Sequence, residues 1–510
     1  MTMLRKIEST LAAVLLALTA SAAAPWSDTP VTCHYIGAVK AGTSAGGDFA
    51  AWTNPDNWAE GVVPGMYIEN GVTNGCPGCT AVFDRECDYP TVDFSYNYIV
   101  AISNIIVTGS SVPKITFGRI WAYRNPYLYL EGGGGIYVSA DVVTAPEVHS
   151  GIKYLRGPNG PVTTFYFENN SSTPLTLGGF NGPDVAFTSS AGTMLFAMSG
   201  AGEIRQTAGV TRALYNVAIR LDMNGGKYVQ CYAATIDQIL TGTNSNQQHF
   251  EIQPSITLTV AGSTPAIKAN TADLLIDGEG TCNFSVAAST APSLGVESGR
   301  TLTLDCNITR TAGGKIQLGG WWGDGGTVAL ASGRSFNAPI DFFNGATLKL
   351  ADGLTLSDAV AIPDSRKGTI CGGSETDAKI AGGVAGTTRP LTLTGRLTIA
   401  SDITTTTTLA ADGELSFRKA ADAATSFTIS SLKLMDDETI PVDDGVTATI
   451  AAIDNNGHTL DIRPTGSGMV KFPGLSAGAA PAWLTYKGGK ARIAADGTLT
   501  GPGGFVITFH

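Results

Sequence analysis

Apolar residues recur at every second position over most of the chain. In "TLTLDCNITR", Leu302, Leu304, Cys306 and Ile308 share one face, while Thr301, Thr303, Asp305, Asn307 and Thr309 share the other. A two-residue period with one apolar side marks a half-buried strand. In "ATLKLADGLTLSDAV", Leu348 and Leu350 form one short set, Asp352-Gly353 turns, and Leu354 and Leu356 form the next. Helical spacing is nearly absent after the first residues. Its best example, "LSFRKAADAATSF", has strand-like flanks.

The alternation carries a degenerate repeat. "ADG" followed by an alternating stretch starts at Ala351, Ala411 and Ala495, and "SGR" starts at Ser298 and Ser332. Each unit is too small to bury its own apolar face, so successive units must stack on a shared core. The expected fold is all-β: a right-handed parallel β-helix of ~20–25 residues per coil. Gly and Asp-Gly at the corners permit the positive φ that tight turns need.

A stacked coil leaves open strand edges that invite aggregation, so its ends need covers. "AWTNPDNWAEGVVPG", from Ala51 to Gly65, precedes the regular alternation. It is read as a structural cap built on Trp52, Asn57, Trp58 and Pro64, with Asn54-Pro55-Asp56-Asn57 reversing the chain. The competing reading is an aromatic platform for a ligand. The expected division is a signal peptide over 1–23, a small loop-rich Cys/Trp capping module over 24–100, and the β-solenoid over 101–510.

The signal peptide follows from Arg5 and Lys6, the apolar run Leu11 to Leu18, and small residues at Ala20-Ser21-Ala22. That run is too short to span a bilayer, which takes about 20 residues. The mature chain is therefore expected to lack a transmembrane segment and to be secreted or held at the cell surface. Charged residues are 15% of the chain and the net charge is −11. With no basic stripe, this balance argues against a nucleic-acid partner.

Export makes the early cysteines Cys33, Cys76, Cys79 and Cys87 disulfide candidates. Four cysteines allow three pairings, and the sequence does not choose among them. "CPGC" at Cys76–Cys79 also admits a redox pair, or zinc held by Cys76, Cys79 and Cys87 with Cys33 or His34. Structural disulfides are favoured over both, because a strand-like segment rather than a helix follows and only one CxxC is present. Cys282 and Cys306 both fall on apolar faces and are expected to be neighbours on successive coils.

"GGWWGDGG" offers Trp321, Trp322 and Asp324 as a ligand-binding candidate, two rings to stack on a sugar and a carboxylate to accept from its hydroxyl. Asp436-Asp437 and Asp443-Asp444 sit in turn-like sequence and are read as solvated. His34, His149, His249, His458 and His510 are scattered, with no metal-binding spacing. The reading therefore assigns no catalytic residue, no metal and no cofactor. Asn169, Asn170, Asn283 and Asn307 stand in glycosylation sequons.

"GGDFAAWTNPDNWAEGVVPG", then "TAVFD" at Thr80–Asp84 and "ISNIIVTGSSVPKITFG" at Ile102–Gly118, resembles the N-terminal module of exported bacterial proteins with autotransporter-associated β-strand repeats. The likeness covers residues 45–120, and phrases such as "GGTVALASG" are similar to the repeats themselves. It implies a passenger-like solenoid at the cell surface and no catalytic residues. The chain departs from that pattern at its C-terminus, where no outer-membrane barrel or sorting signal is recognisable.

The function expected is structural or adhesive and non-enzymatic, with surface glycans or other cell-surface proteins as partners. The alternative is a carbohydrate-active β-helix, lyase or hydrolase, or a glycan-binding module.

Overall fold

The computed structural model describes residues 26–502, apart from stretches of which the longer are 41–48, 119–126, 156–161, 179–192, 208–216, 261–266, 269–273, 285–292, 310–315, 320–324 and 420–424. The expected signal peptide, Trp321, Trp322, Asp324 and Cys306 lie outside the described residues. Among the described residues the chain is all-β, a parallel β-helix, with one 3₁₀ turn at Pro55–Asn57 and no α-helix. No helix there is long and apolar enough to cross a membrane.

The chain divides into two compact units, Met1–Asp237 and Gln238–His510. In the first, one ladder runs through the strands Thr32–His34, Thr80–Phe83, Ile99–Val107, Tyr127–Val138, Val162–Asn169, Thr193–Gly200 and Val217–Met223, every pairing parallel. A second parallel ladder runs from Ala50–Ala51 through Thr91–Asp93, Thr116–Phe117, Glu147–Val148, Leu175–Leu177 and Glu203–Gln206 to Lys227–Gln230. The Trp/Cys segment thus supplies the first strand of each ladder. It also contributes an antiparallel hairpin, Met66–Glu69 with Val72–Gly75, which pairs onto Ile99–Val107.

In the second unit several coils carry three short strands. Ile316–Leu318, Thr327–Leu330 and Phe336–Asn337 follow one another, and Ile340–Phe342 then pairs back onto Ile316–Leu318. Register is strict along each face. Leu302, Val328, Leu348, Ile370 and Leu393 stack as one buried row. Thr301, Thr327, Thr347, Thr369 and Thr392 stack beside it on the outer side. Each buried aliphatic side chain contributes roughly 1.5–3 kcal/mol, while threonine suits the pleated outer surface.

The corners explain the repeat phrases, with one correction. Ala351-Asp352-Gly353 and Ala495-Asp496-Gly497 are turns, with Gly353 at φ +72° and Gly497 at φ +82°. Ala411-Asp412-Gly413 instead lies inside the long strand Ile403–Phe417, where Gly413 faces Gly395 of the preceding coil. A Cβ on Gly413 would stand 2.5 Å from Leu409 Cδ1, so this glycine serves close packing rather than a turn. The expected Cys282–Cys306 neighbour relationship is likewise replaced. Cys282 lies opposite Leu304, because the coil between them is two residues shorter than the spacing of the cysteines.

The sequon residue Asn169 is wholly buried. Its amide donates to the carbonyls of Thr173 (2.9 Å) and Glu203 (2.7 Å), and its Oδ1 accepts from the Ser171 amide (3.1 Å). It is a structural tie, not an acceptor for sugar.

Candidate functional site

Three places concentrate chemistry: the first coil, the corners between coils, and one open groove. At the first coil, Asn54 Oδ1 accepts from the Asp56 amide and starts the 3₁₀ turn that reverses the chain between the two tryptophans. Trp52 is 0% and Trp58 1% exposed, and Asn57 and Pro64 are buried with them. Trp52 Nε1 donates to the Pro64 carbonyl (3.1 Å) and Trp58 Nε1 to the Trp52 carbonyl (2.9 Å). The rings meet edge to face at 4.8 Å and extend into Tyr35, Phe83, Phe94 and Phe117. Rings this deep present no face to a ligand.

The same segment covers the outer edge of strand Thr32–His34. The Ala59 amide donates to the His34 carbonyl (2.9 Å), and the Ile36 amide donates to the Asn57 carbonyl (2.9 Å). Glu60 Oε2 accepts from the His34 amide (2.7 Å). Backbone groups that would otherwise template a foreign strand are thereby satisfied.

Cys33 and Cys79 are buried thiols in this coil, and Cys87 is a half-buried one. Burial pushes Cys33 up to about 12, helped by the nearby Glu60 and Cys79, and pushes Cys87 up to about 11, helped by Asp88. The CPGC pair itself, Cys76 and Cys79, runs directly into the strand Thr80–Phe83, so no helix N-terminus stands there to acidify a redox thiol. Zinc fares no better. Among the described residues, no three of these cysteines and His34 bring ligand atoms within 4.8 Å of one another. His34 turns instead to Glu60 (2.8 Å) and Asp84 (3.6 Å).

Carboxylates tie one coil to the next, from corners at Asp352, Asp437 and Asp444 and from within the strand Leu460–Pro464 at Asp461. Asp352 Oδ1 accepts the amides of Glu375 and Thr376, both at 3.0 Å, 23 and 24 residues further on. Asp437 accepts from the Thr459 amide (2.8 Å, 22 residues on) and Asp444 from the Ser467 amide (2.6 Å, 23 residues on). Asp461 accepts from the Gly488 amide and the Thr485 hydroxyl, both at 2.8 Å. These bonds hold Asp352, Asp437 and Asp444 below the usual carboxylate range. Burial opposes the ionisation of Asp461, but Arg463 and the same donors overcome it. The second Asp of both Asp-Asp pairs is therefore a staple, where sequence alone suggested mere solvation. The one signal available was an Asp at a corner followed about one coil later by a second corner.

Asp436, Asp437 and His458 bring ligand atoms within 4.8 Å of one another on exposed turns. Glu438, close by, faces inward and is pushed up to about 7 by burial, against the opposing Leu415 amide and aided by Glu414 and Asp436.

The groove lies on the second unit and has a volume of about 450 Å³. Its floor is the row Thr355, Lys379 and Thr398, one residue from each of three successive coils in register, continued by Ser416. Asp377, Arg396 and Arg418 flank that floor. Asp377 Oδ2 accepts from Ser416 Oγ (2.8 Å) and Thr398 Oγ1 (3.1 Å), and Arg396 Nε stands 3.4 Å from its other oxygen. Burial opposes its ionisation, but these donors and the two guanidiniums hold Asp377 below the usual range. It is thus a fixed anion rather than a proton carrier at neutral pH.

Compared with protein-family models, with curated proteins and with solved structures, the chain matches none.

Proposed function

We propose that the protein is an exported, non-enzymatic β-solenoid with a structural or adhesive role at the cell surface. One observation carries the reading: Asp352, Asp437 and Asp444 at coil corners and Asp461 within a strand accept from amides and hydroxyls of the adjacent coil. Side chains held this way stiffen a stacked scaffold and are poorly placed to move protons. The covered first edge supports it too, since an extended surface scaffold must resist joining its neighbours strand to strand. The apolar stretch behind Arg5 and Lys6 supports export, and the resemblance to autotransporter-associated repeat proteins supports display. In the oxidising setting that export implies, Cys33, Cys76, Cys79 and Cys87 are proposed to form disulfides that reinforce the capped coil.

The test is protease shaving and surface labelling of intact cells, with turnover assays on a panel of polysaccharides. The reading expects the chain, shortened at its N-terminus, to be accessible from outside, and no polysaccharide to be cleaved. An intact N-terminus on a protected intracellular chain, or turnover that Asp377→Asn abolishes, overturns it.

A further inference from the structure

The groove contains an arginine whose hydrogen-bonding capacity is largely unspent. Arg418 reaches Ser416 Oγ at 3.4 Å, Asp377 Oδ2 at 3.5 Å and Asp443 Oδ1 at 3.9 Å. All three exceed the 2.7–3.2 Å of an ordinary N–H···O bond. Arg463 and Arg334, by contrast, hold their carboxylates at 2.6 and 2.8 Å. Arg418 is half exposed and lines the open space. On the floor stands Lys379, whose Nζ donates to the Lys419 carbonyl (2.5 Å), and beside it Arg396, whose Nη1 reaches Glu414 at 2.9 Å. The lining thus sets Lys379, Arg396 and Arg418 beside Glu375 and Asp377, and while Asp377 and Glu414 engage Arg396, the charge of Arg418 meets carboxylates only at 3.5 Å and beyond.

We infer that this groove binds an acidic glycan, with Arg418 taking the anionic group of one sugar and the exposed Thr355 bonding to a hydroxyl beside it. The inference rests on the surface-scaffold reading and names its ligand. A guanidinium matches the paired oxygens of a carboxylate or sulfate and carries its charge at any physiological pH. Asp377 fixes the floor by holding Thr398 and Ser416, so little ordering is left to occur on binding. Thr355 and Lys379 stand on successive coils about 4.8 Å apart, a spacing that suits an extended chain laid across them.

The experiment is calorimetric titration of the full chain with oligogalacturonate, with a sulfated oligosaccharide and with neutral dextran, at low and moderate salt. Binding to one or both acidic ligands, weakened by salt and absent for dextran, is expected; which of the two binds identifies carboxylate or sulfate as the group read. Arg418→Gln should weaken binding about tenfold, the loss of one charge-assisted contact. Thr355→Asp, which adds an anion to the floor without touching Arg418, should weaken it at least as much. Lys490→Gln, on an exposed lysine outside the groove, should leave it unchanged. Thermal melts of each variant show that it is folded. No binding to either acidic ligand, equal binding to dextran, or an unchanged affinity in both groove variants overturns the inference. The intact-cell experiment is independent of it: a surface-exposed chain that binds no acidic glycan sinks the groove and leaves the scaffold standing.

Discussion

The indole N–H of Trp58 donates to the backbone carbonyl of Trp52 at 2.9 Å, with both residues wholly buried. This bond closes the loop that carries Asn57 and Glu60 over the edge of strand Thr32–His34. Phenylalanine at position 58 would keep most of the ring volume and leave the Trp52 carbonyl unpaired. Trp58→Phe should therefore destabilise by about 1–3 kcal/mol in denaturant unfolding, the cost of a buried acceptor left unpaired. An unchanged midpoint would show that the bond is incidental.

Glu60 tests the edge cover separately. Glu60→Ala frees the His34 amide on the outer edge but removes no core volume. The expected result is a nearly unchanged melting temperature with concentration-dependent association in light scattering. A variant that stays monomeric at all concentrations would show that the edge needs no such cover.

The carboxylates that tie coil to coil set the acid limit. Asp352, Asp444 and Asp461 ionise more readily folded than unfolded, so each adds stability at neutral pH that disappears as pH falls through and below the ordinary carboxylate range. Asp352→Asn should lower the melting temperature at pH 7, with the difference from the parent chain shrinking toward pH 3. A difference that stays constant over that range would remove the charged staple from the explanation.

Glu438 runs the other way. With its folded value pushed up to about 7, the folded state holds the proton more tightly than the unfolded state, so stability falls as pH rises from about 4.5 through 7. Glu438→Gln keeps an acceptor for the Leu415 amide and cannot ionise. The variant should melt above the parent chain at pH 8 and with it at pH 4.5. Equal melting at pH 8 would show that the buried charge costs nothing.

Asn169 binds two carbonyls and one amide from the interior of the first unit. Asn169→Ala should cost about 1–3 kcal/mol for each buried group left unpaired, measured by chemical denaturation. Gly200 and Gly202 pack directly on this residue, where a Cβ would stand 2.1 Å from its carbonyl oxygen and 2.6 Å from its Nδ2, so the site cannot close over the gap by adding bulk there.

Strand positions were legible because alternation is written into each strand by itself: Leu302, Leu304, Leu348 and Leu350 could be placed inside without knowing their neighbours. Register was not legible. It depends on how many residues each corner consumes, and the spacing of Cys282 from Cys306 gave the wrong partner for that reason. The corner staples were hidden for the same cause, since Asp437 and Asp444 acquire a role only once Thr459 and Ser467 are placed beside them. The groove was missed because Lys379, Thr398 and Ser416 lie on separate coils, and each alone reads as ordinary outer-face polarity. The tryptophans at 52 and 58 drew attention by composition, but their hydrogen bonds to Pro64 and Trp52 follow from a reversal that sequence only outlined.

The coils stack in one register, and an engineered crosslink reads that register directly. Parallel partners lie within the Cα separation a disulfide spans, about 4.4–6.8 Å, while residues two coils apart do not. Thr347 faces Thr369, and Thr369 faces Thr392. On mild oxidation, Thr347→Cys/Thr369→Cys should give a 347–369 disulfide peptide by mass spectrometry, and Thr347→Cys/Thr392→Cys should give none. A 347–392 crosslink, or failure of the 347–369 pair to form in a folded chain, would contradict the stacked-coil architecture.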